Sequence, residues 1–270
     1  MKEWNSKDQG NLKINNLTIR FFGRPILENL SFEIEKGKLG IVLGPNGVGK
    51  SSLLKAIAGL IGAERGEVYI NGLPASRMNQ KEQARLVSYL PQGHPIAYNY
   101  SVQDFVLMGR TPYLGVFGVP GIKDLQIAFE ALRYLGIPDM AKRGYLSLSS
   151  GERQMVLLAR SLVQGAGIMV MDEPTTYLDY QRQYYFMEKL KKMIKKYGYT
   201  AIVSLHDPGL ALKFADKMIL LFDKKKLAEI DCQSKDYLSK FDACMKVMYG
   251  PQVDVRKVGN DAAVLWNSDK

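Results

Sequence analysis

The tightest constraint on this chain is a short loop. Gly44, Pro45, Asn46, Gly47, Val48, Gly49, Lys50 and Ser51 follow a continuous apolar run, Leu39–Leu43, and lead at once into a helical pattern over residues 50–61. The glycines let successive backbone N–H groups curl around one small anion, and the helix start adds its positive end. The spacing G-x-x-x-x-G-K-[ST] therefore reads as a phosphate cradle reaching as far as Ser52. Lys50 is placed to bridge the outer phosphates and the Ser51 hydroxyl to ligate Mg²⁺. A chance match is expected in on the order of one per cent of chains this long. The strand–loop–helix context makes chance rarer still. An uninterrupted apolar strand is buried on both faces, so the loop already implies a layered α/β fold.

The rest of the pattern agrees with that implication. Residues 12–21 and 27–35 read as strands, the second alternating Leu30, Phe32 and Ile34 with polar residues. Residues 66–70 and 86–90 read as further strands. Gly, Pro and aromatic residues crowd 111–121, between helical patterns at 102–108 and 124–135, as in an inserted helical region. Ser149 and Glu152 have capping-box spacing at a helix head. Strand and helix then alternate: strand 168–171, helix 181–196, strand Thr200–Ser204, a helix from Pro208 capped by Asp207, and strand 217–221. The tail reads as a short helix and two strands, 252–258 and 262–266, turning at Gly259, Asn260 and Asp261. This is a mainly parallel sheet with helices on both faces, preceded by antiparallel strands.

A phosphate cradle needs a metal carboxylate and a group that activates water. Ile168, Met169, Val170 and Met171 end in Asp172 and Glu173, two acids at a strand's carboxyl end. Asp172 is the candidate for holding Mg²⁺, directly or through water, and Glu173 for polarising the attacking water.

With these residues in place the sequence resembles the ABC ATPases. Leu148-Ser149-Ser150-Gly151-Glu152-Arg153-Gln154 looks like their signature. Gln92 matches the Q-loop, Asp179 in Pro174-Thr-Thr-Tyr-Leu-Asp179 the D-loop, and His206 the switch histidine. Phe21 matches the aromatic that stacks on adenine, with Phe22 as its rival. His94 has no matching station and reads as a loop residue. The resemblance spans residues 12–230 and implies a P-loop NTPase core that hydrolyses ATP with Mg²⁺ held by Ser51 and Gln92, Asp172 lying behind them. It also implies that His206 orders Glu173 and the γ-phosphate. The signature residues Ser149, Ser150, Gly151 and Glu152, with Asp179, would serve the ATP of a second copy in a head-to-tail dimer. Two departures stand out: Ser150 replaces a usual glycine, and Phe21 a commoner tyrosine. The resemblance divides the chain into a nucleotide-binding core with an N-terminal β-subdomain (1–90 and 159–230), a helical signature subdomain (91–158) and a C-terminal extension (231–270).

Met108-Gly-Arg-Thr-Pro-Tyr113 narrows the resemblance to ATP-binding subunits of importers for iron-siderophore, haem and cobalamin, with molybdate or tungstate importers as relatives. The implied partners are integral-membrane permease subunits and, indirectly, a substrate-binding protein, which places the chain at the cytoplasmic face of the cell membrane. The composition has to be weighed against this. Lys+Arg number 37 against 27 Asp+Glu, a formal net charge of +10 that invites a nucleic-acid partner. The lysines gather on one helix face (Lys189, Lys191, Lys192, Lys195, Lys196) and at 224–226, which reads as solvated surface, so no nucleic acid is expected. Cys232 and Cys244 are too few and too far apart for a disulfide scaffold and read as reduced thiols. No apolar run reaches the ~20 residues a spanning helix needs, and the first 14 residues lack the apolar stretch of a secretory signal.

Overall fold

The computed structural model describes residues 10–93, 98–115, 117–259 and 261–267; His94 and Asn260 lie outside them. Its centre is a six-stranded sheet of β3 (Leu39–Leu43), β6 (Val87–Leu90), β7 (Ile168–Asp172), β8 (Thr200–Ser204), β9 (Lys217–Phe222) and β10 (Lys225–Asp231), in the order β10-β9-β3-β8-β7-β6. Every pairing is parallel except that of the edge strand β10. Beside it lies a four-stranded antiparallel sheet, β2-β1-β4-β5, built from β1 (Leu12–Phe21), β2 (Arg24–Ile34), β4 (Arg65–Ile70) and β5 (Leu73–Pro74).

The continuous apolar runs exist because the central strands separate two cores. Leu39, Ile41, Met169, Met171, Val203 and Leu220 point into one; Val42, Val170, Ile202 and Ile219 point into the other. The first core is closed by α5 (Ser150–Gln164), α6 (Tyr180–Tyr197), α7 (Pro208–Phe214) and α8 (Tyr237–Tyr249), together with α3 (Val102–Leu107) and α4 (Ile122–Leu135). The second is closed by α1 (Lys50–Ile57) and the antiparallel sheet. Each such Leu, Ile or Val contributes roughly 1.5–3 kcal/mol by leaving water. Gly40 leaves room for a neighbour on the other sheet, since a Cβ there would lie 2.6 Å from Ile34 Cδ1. A hairpin of β11 (Val253–Val258) and β12 (Asp261–Trp266) ends the chain and packs on α7 and α8.

Several local expectations change. The first helix stops at Ile57 rather than 61, because Gly59 takes φ 69° and turns the chain out of the helix. Leu86 ends a helix, α2 (Gln80–Leu86), instead of opening a strand. Asn79 and Glu82 form a capping box at its head, so its start signal was present in the sequence. Residues 224–226 are not simply a solvated turn. Lys225 and Lys226 belong to β10, and Lys226 reaches the Ser31 carbonyl and Glu229. Part of the helical lysine face is engaged as well. Lys191 pairs with Asp216 at 2.7 Å, and Lys196 stacks over Tyr134 and Tyr197. Among the described residues no helix is long and apolar enough to cross a membrane.

Candidate functional site

Strands β3, β8, β7 and β6 are consecutive neighbours and parallel, so their carboxyl ends lie side by side. Open α/β sheets bind ligands at that edge. Each strand delivers one part there: the glycine loop after β3, His206 after β8, Asp172 and Glu173 at the end of β7, and Gln92 after β6. A cleft of about 410 Å³ opens between them, lined by Ile26, Asn46, Gly47, Gly49, Lys50, Ser51, Ser52, Gln92, Glu173 and His206.

The loop has the shape of an anion cradle. Gly47 takes φ 77° with no atom within 4 Å of its Cβ position, space that a side chain would occupy. Gly49 takes φ 108°, and a Cβ there would lie 2.9 Å from Leu27 Cγ. Gly49 caps α1 without a side chain, and the first turn holds no acid, so no side chain competes for the helix-end N–H groups. Lys50 is buried, and its Nζ donates to the carbonyls of Gly44 at 2.8 Å and Pro45 at 3.2 Å. Burial pulls its pKa down; Glu173 and Asp172 act in the opposite direction and do not outweigh it.

Glu173 is the hub of the site. Its Oε2 accepts from Gln92 Nε2 and, at 3.1 Å, from Thr176 Oγ1, while Oε1 pairs with His206 Nε2. Its backbone is left-handed, φ 48°, which costs a non-glycine residue about 1–2 kcal/mol. A buried hydroxyl holds this turn. The Glu173 N–H donates to Ser204 Oγ at 2.9 Å, and Ser204 Oγ donates to Asp172 Oδ1 at 2.8 Å. Asp172 thus sits beneath the cleft rather than on its wall, beside the half-buried Tyr89, whose hydroxyl pKa is raised by burial first and by Asp172 second. The Ser51 hydroxyl, the Gln92 carboxamide oxygen and the Asp172 carboxylate are hard oxygen donors of the kind Mg²⁺ takes. Because Gln92 spends its NH₂ group on Glu173, the carboxamide oxygen is the atom that suits a metal.

The remaining candidates stand elsewhere. Phe21 ends β1 65% exposed, edge-on to Phe22 with ring centroids 4.5 Å apart, and neither ring lines the cleft; Ile26 does. Ser149 caps α5. Its Oγ accepts from the Glu152 N–H at 3.3 Å, and Glu152 Oε2 accepts from the Ser149 N–H at 2.7 Å. That backbone bond first, and Arg143 next, hold the Glu152 carboxyl below its ordinary pKa. Ser149 and Ser150 are exposed and lie outside the cleft that holds Lys50; Ser150 borders a separate cavity of about 500 Å³, shared with Gln92, Arg153 and Tyr177. Asp179 caps α6 through Arg182 N–H at 2.9 Å.

Sequence reasoning missed Ser204 and Thr176. Thr176 lies between Pro174 and Asp179, where the sequence alone attaches no role to it, and nothing in a residue pattern marks a buried serine between an apolar strand and Leu205. The stretch Met108–Tyr113 works inside the fold. Arg110 pairs with Asp124 at 2.8 Å, donates to the Val163 carbonyl and stacks on Tyr113, which locks α4 to α5. Phe117 beyond it is 97% exposed.

Comparison with known proteins gives the family of this chain. The family model described as ABC transporter matches residues 27–176. A Helicobacter pylori protein described as a probable iron chelatin transport ATP-binding protein is 37% identical over 79% of this chain and 84% of its own length. The iron(3+)-hydroxamate import ATP-binding protein of Bacillus subtilis is 36% identical over 78% of each chain. Among solved structures, one described as a metal-chelate type ABC transporter in an inward-facing conformation superposes with a TM-score of 0.79. It is 25% identical and covers 95% of this chain and 96% of its own.

Proposed function

This chain belongs to the ATP-binding ATPase subunits of ABC transporters, and from that premise we propose that it energises import of a metal chelate across a membrane. The observation that carries the catalytic half is the Glu173 carboxylate, held between Gln92 and His206 at the mouth of the Lys50 cradle. Glu173 is the general base that orients and polarises the attacking water, and His206 fixes it toward the γ-phosphate. Ser51 and Gln92, with Asp172 directly or through water, would hold Mg²⁺, which when bound would neutralise phosphate charge. Residues 44–52 cradle the phosphates, and Phe21 covers the adenine.

Two copies act head to tail. Ser149, Ser150, Gly151, Glu152 and Asp179 stand at helix starts apart from their own cleft, which supports their meeting the ATP held by the other copy. A nucleotide-binding core (1–90 and 159–230), a signature subdomain (91–158) and a C-terminal extension (231–270) are the units that move. The exposed Tyr98, Tyr100, Phe117 and Ile122 face integral-membrane permease subunits, which place the chain at the cytoplasmic face and receive cargo from a substrate-binding protein. Iron-siderophore, haem or cobalamin is the cargo class, and the names of the two relatives above support its iron-chelate part. The test is Glu173→Gln. It abolishes ATP hydrolysis while ATP binding persists; normal turnover in that variant removes Glu173 as the base.

A further inference from the structure

One side chain spans the first turns of α5 and α6. Arg182 on α6 crosses Gly151 on α5 so closely that a Cβ at Gly151 would stand 2.9 Å from Arg182 Cδ and 3.1 Å from Nη1. The absence of a side chain at Gly151 is what lets the arginine lie flat on the signature turn. At its other end, Arg182 Nε meets Asp179 Oδ2 at 3.2 Å, while the Arg182 backbone N–H donates to Asp179 Oδ1 at 2.9 Å. Asp179 is thus gripped twice by the residue that touches Gly151.

Direct packing between the two helix ends is incomplete. A cavity of about 170 Å³ separates them, bordered by Met155, Leu178, Phe186 and Arg182 itself. Close-packed interiors transmit displacement and gaps do not, so a bridging side chain carries most of any coupling across such a gap. We propose that Arg182 is a positioning residue that ties Asp179 to the signature turn of the same copy. The two segments then approach the partner's ATP as one rigid unit. The proposal rests on the head-to-tail reading above, and it assigns Arg182 no contact with nucleotide.

The experiment uses the full chain in the Glu173→Gln background, with ATP titrated and dimer formation followed by light scattering after size exclusion. Glu173→Gln alone sets the ATP threshold for dimerisation. Adding Arg182→Ala weakens association by about tenfold, which, with two ATPs taken up per dimer, raises that threshold by about threefold. Binding of a fluorescent ATP analogue to the dilute single chain stays unchanged, as does the Tm. Arg182→Lys, which keeps a stem and a cation, recovers part of the threshold; Arg182→Met, which keeps only the stem, does not. An unchanged threshold in Arg182→Ala overturns the proposal, as does full recovery by Arg182→Met or an equal loss of single-chain nucleotide affinity. If Glu173→Gln alone stays monomeric at saturating ATP, the head-to-tail reading falls and this inference with it. That outcome is distinct from dimerisation indifferent to Arg182, which sinks only the inference.

Discussion

Ser204→Ala removes one oxygen that does not itself line the cleft. The hydroxyl is fully buried and makes two bonds: it accepts the Glu173 N–H at 2.9 Å and donates to the Asp172 carboxylate at 2.8 Å. Losing the charge-assisted bond costs about 1.5–3 kcal/mol, and the orphaned buried N–H adds a penalty of about 1–3 kcal/mol that overlaps with it. Glu173 already sits at φ 48°, so its left-handed turn loses the contact that pins it. A net loss of roughly 2–4 kcal/mol follows from these terms and lowers the Tm by roughly 5–10 °C in a chain of this size. Catalysis suffers separately. A misplacement of ~1 Å at a catalytic group costs on the order of a hundredfold, so kcat for ATP falls by at least about tenfold. Nucleotide affinity, set by the loop on β3, is retained. Thermal unfolding and steady-state ATPase assays on the same preparation read both effects. An unshifted Tm with an unchanged kcat would refute the idea that Ser204 holds the Glu173 turn.

Other consequences are simpler. Lys50→Ala weakens ATP binding by at least about tenfold, roughly 1.4 kcal/mol, because the cradle loses its only buried cation among the described residues; equilibrium binding of labelled ATP measures it. Lys217→Met changes the alkaline limb of stability. Although burial opposes it, the hydrogen bond to Glu35 and the nearby Glu35 and Glu229 charges raise the Lys217 pKa above its ordinary value. A raised folded-state pKa gives stability that is fully present below the unfolded value of about 10.4 and is lost as pH rises through the higher folded value. The wild-type Tm therefore falls above about pH 10, and the variant, already less stable at neutral pH, lacks that component of the fall. Parallel alkaline limbs in the two proteins would contradict this account.

How much of this was visible beforehand follows from what a linear pattern records. The glycine loop, the strand ending in Asp172 and Glu173, and the Ser149 capping box are local signals, and each appears where the spacing put it. The convergence of Gln92, Glu173 and His206 was accessible only through the family resemblance, because three different strands deliver them. Ser204 escaped altogether: its role depends on the β7–β8 register that sets it opposite Asp172. The lysine-rich face was legible in part. Lys192, Lys195 and Lys196 are exposed as their spacing implies, whereas Lys191 pairs with Asp216, which lies on another element and leaves no mark in the local pattern. α2 is a different kind of miss, since Asn79 and Glu82 announced it and the strand-like residues after them drew the boundary one position early.

The central claim is that each ATP is served by the glycine loop of one copy and the signature of another. Mixing two inactive variants tests it most directly. Lys50→Ala disables the loop and keeps the signature; Ser149→Arg places a bulky cation at the α5 start and keeps the loop. Each alone has little ATPase activity. Mixed in equal amounts, half of the dimers contain both chains and hold one intact composite site, so hydrolysis returns to at most about one quarter of wild type. Recovery on mixing is the result this account predicts. No recovery at any ratio, or full activity in Ser149→Arg alone, would contradict it.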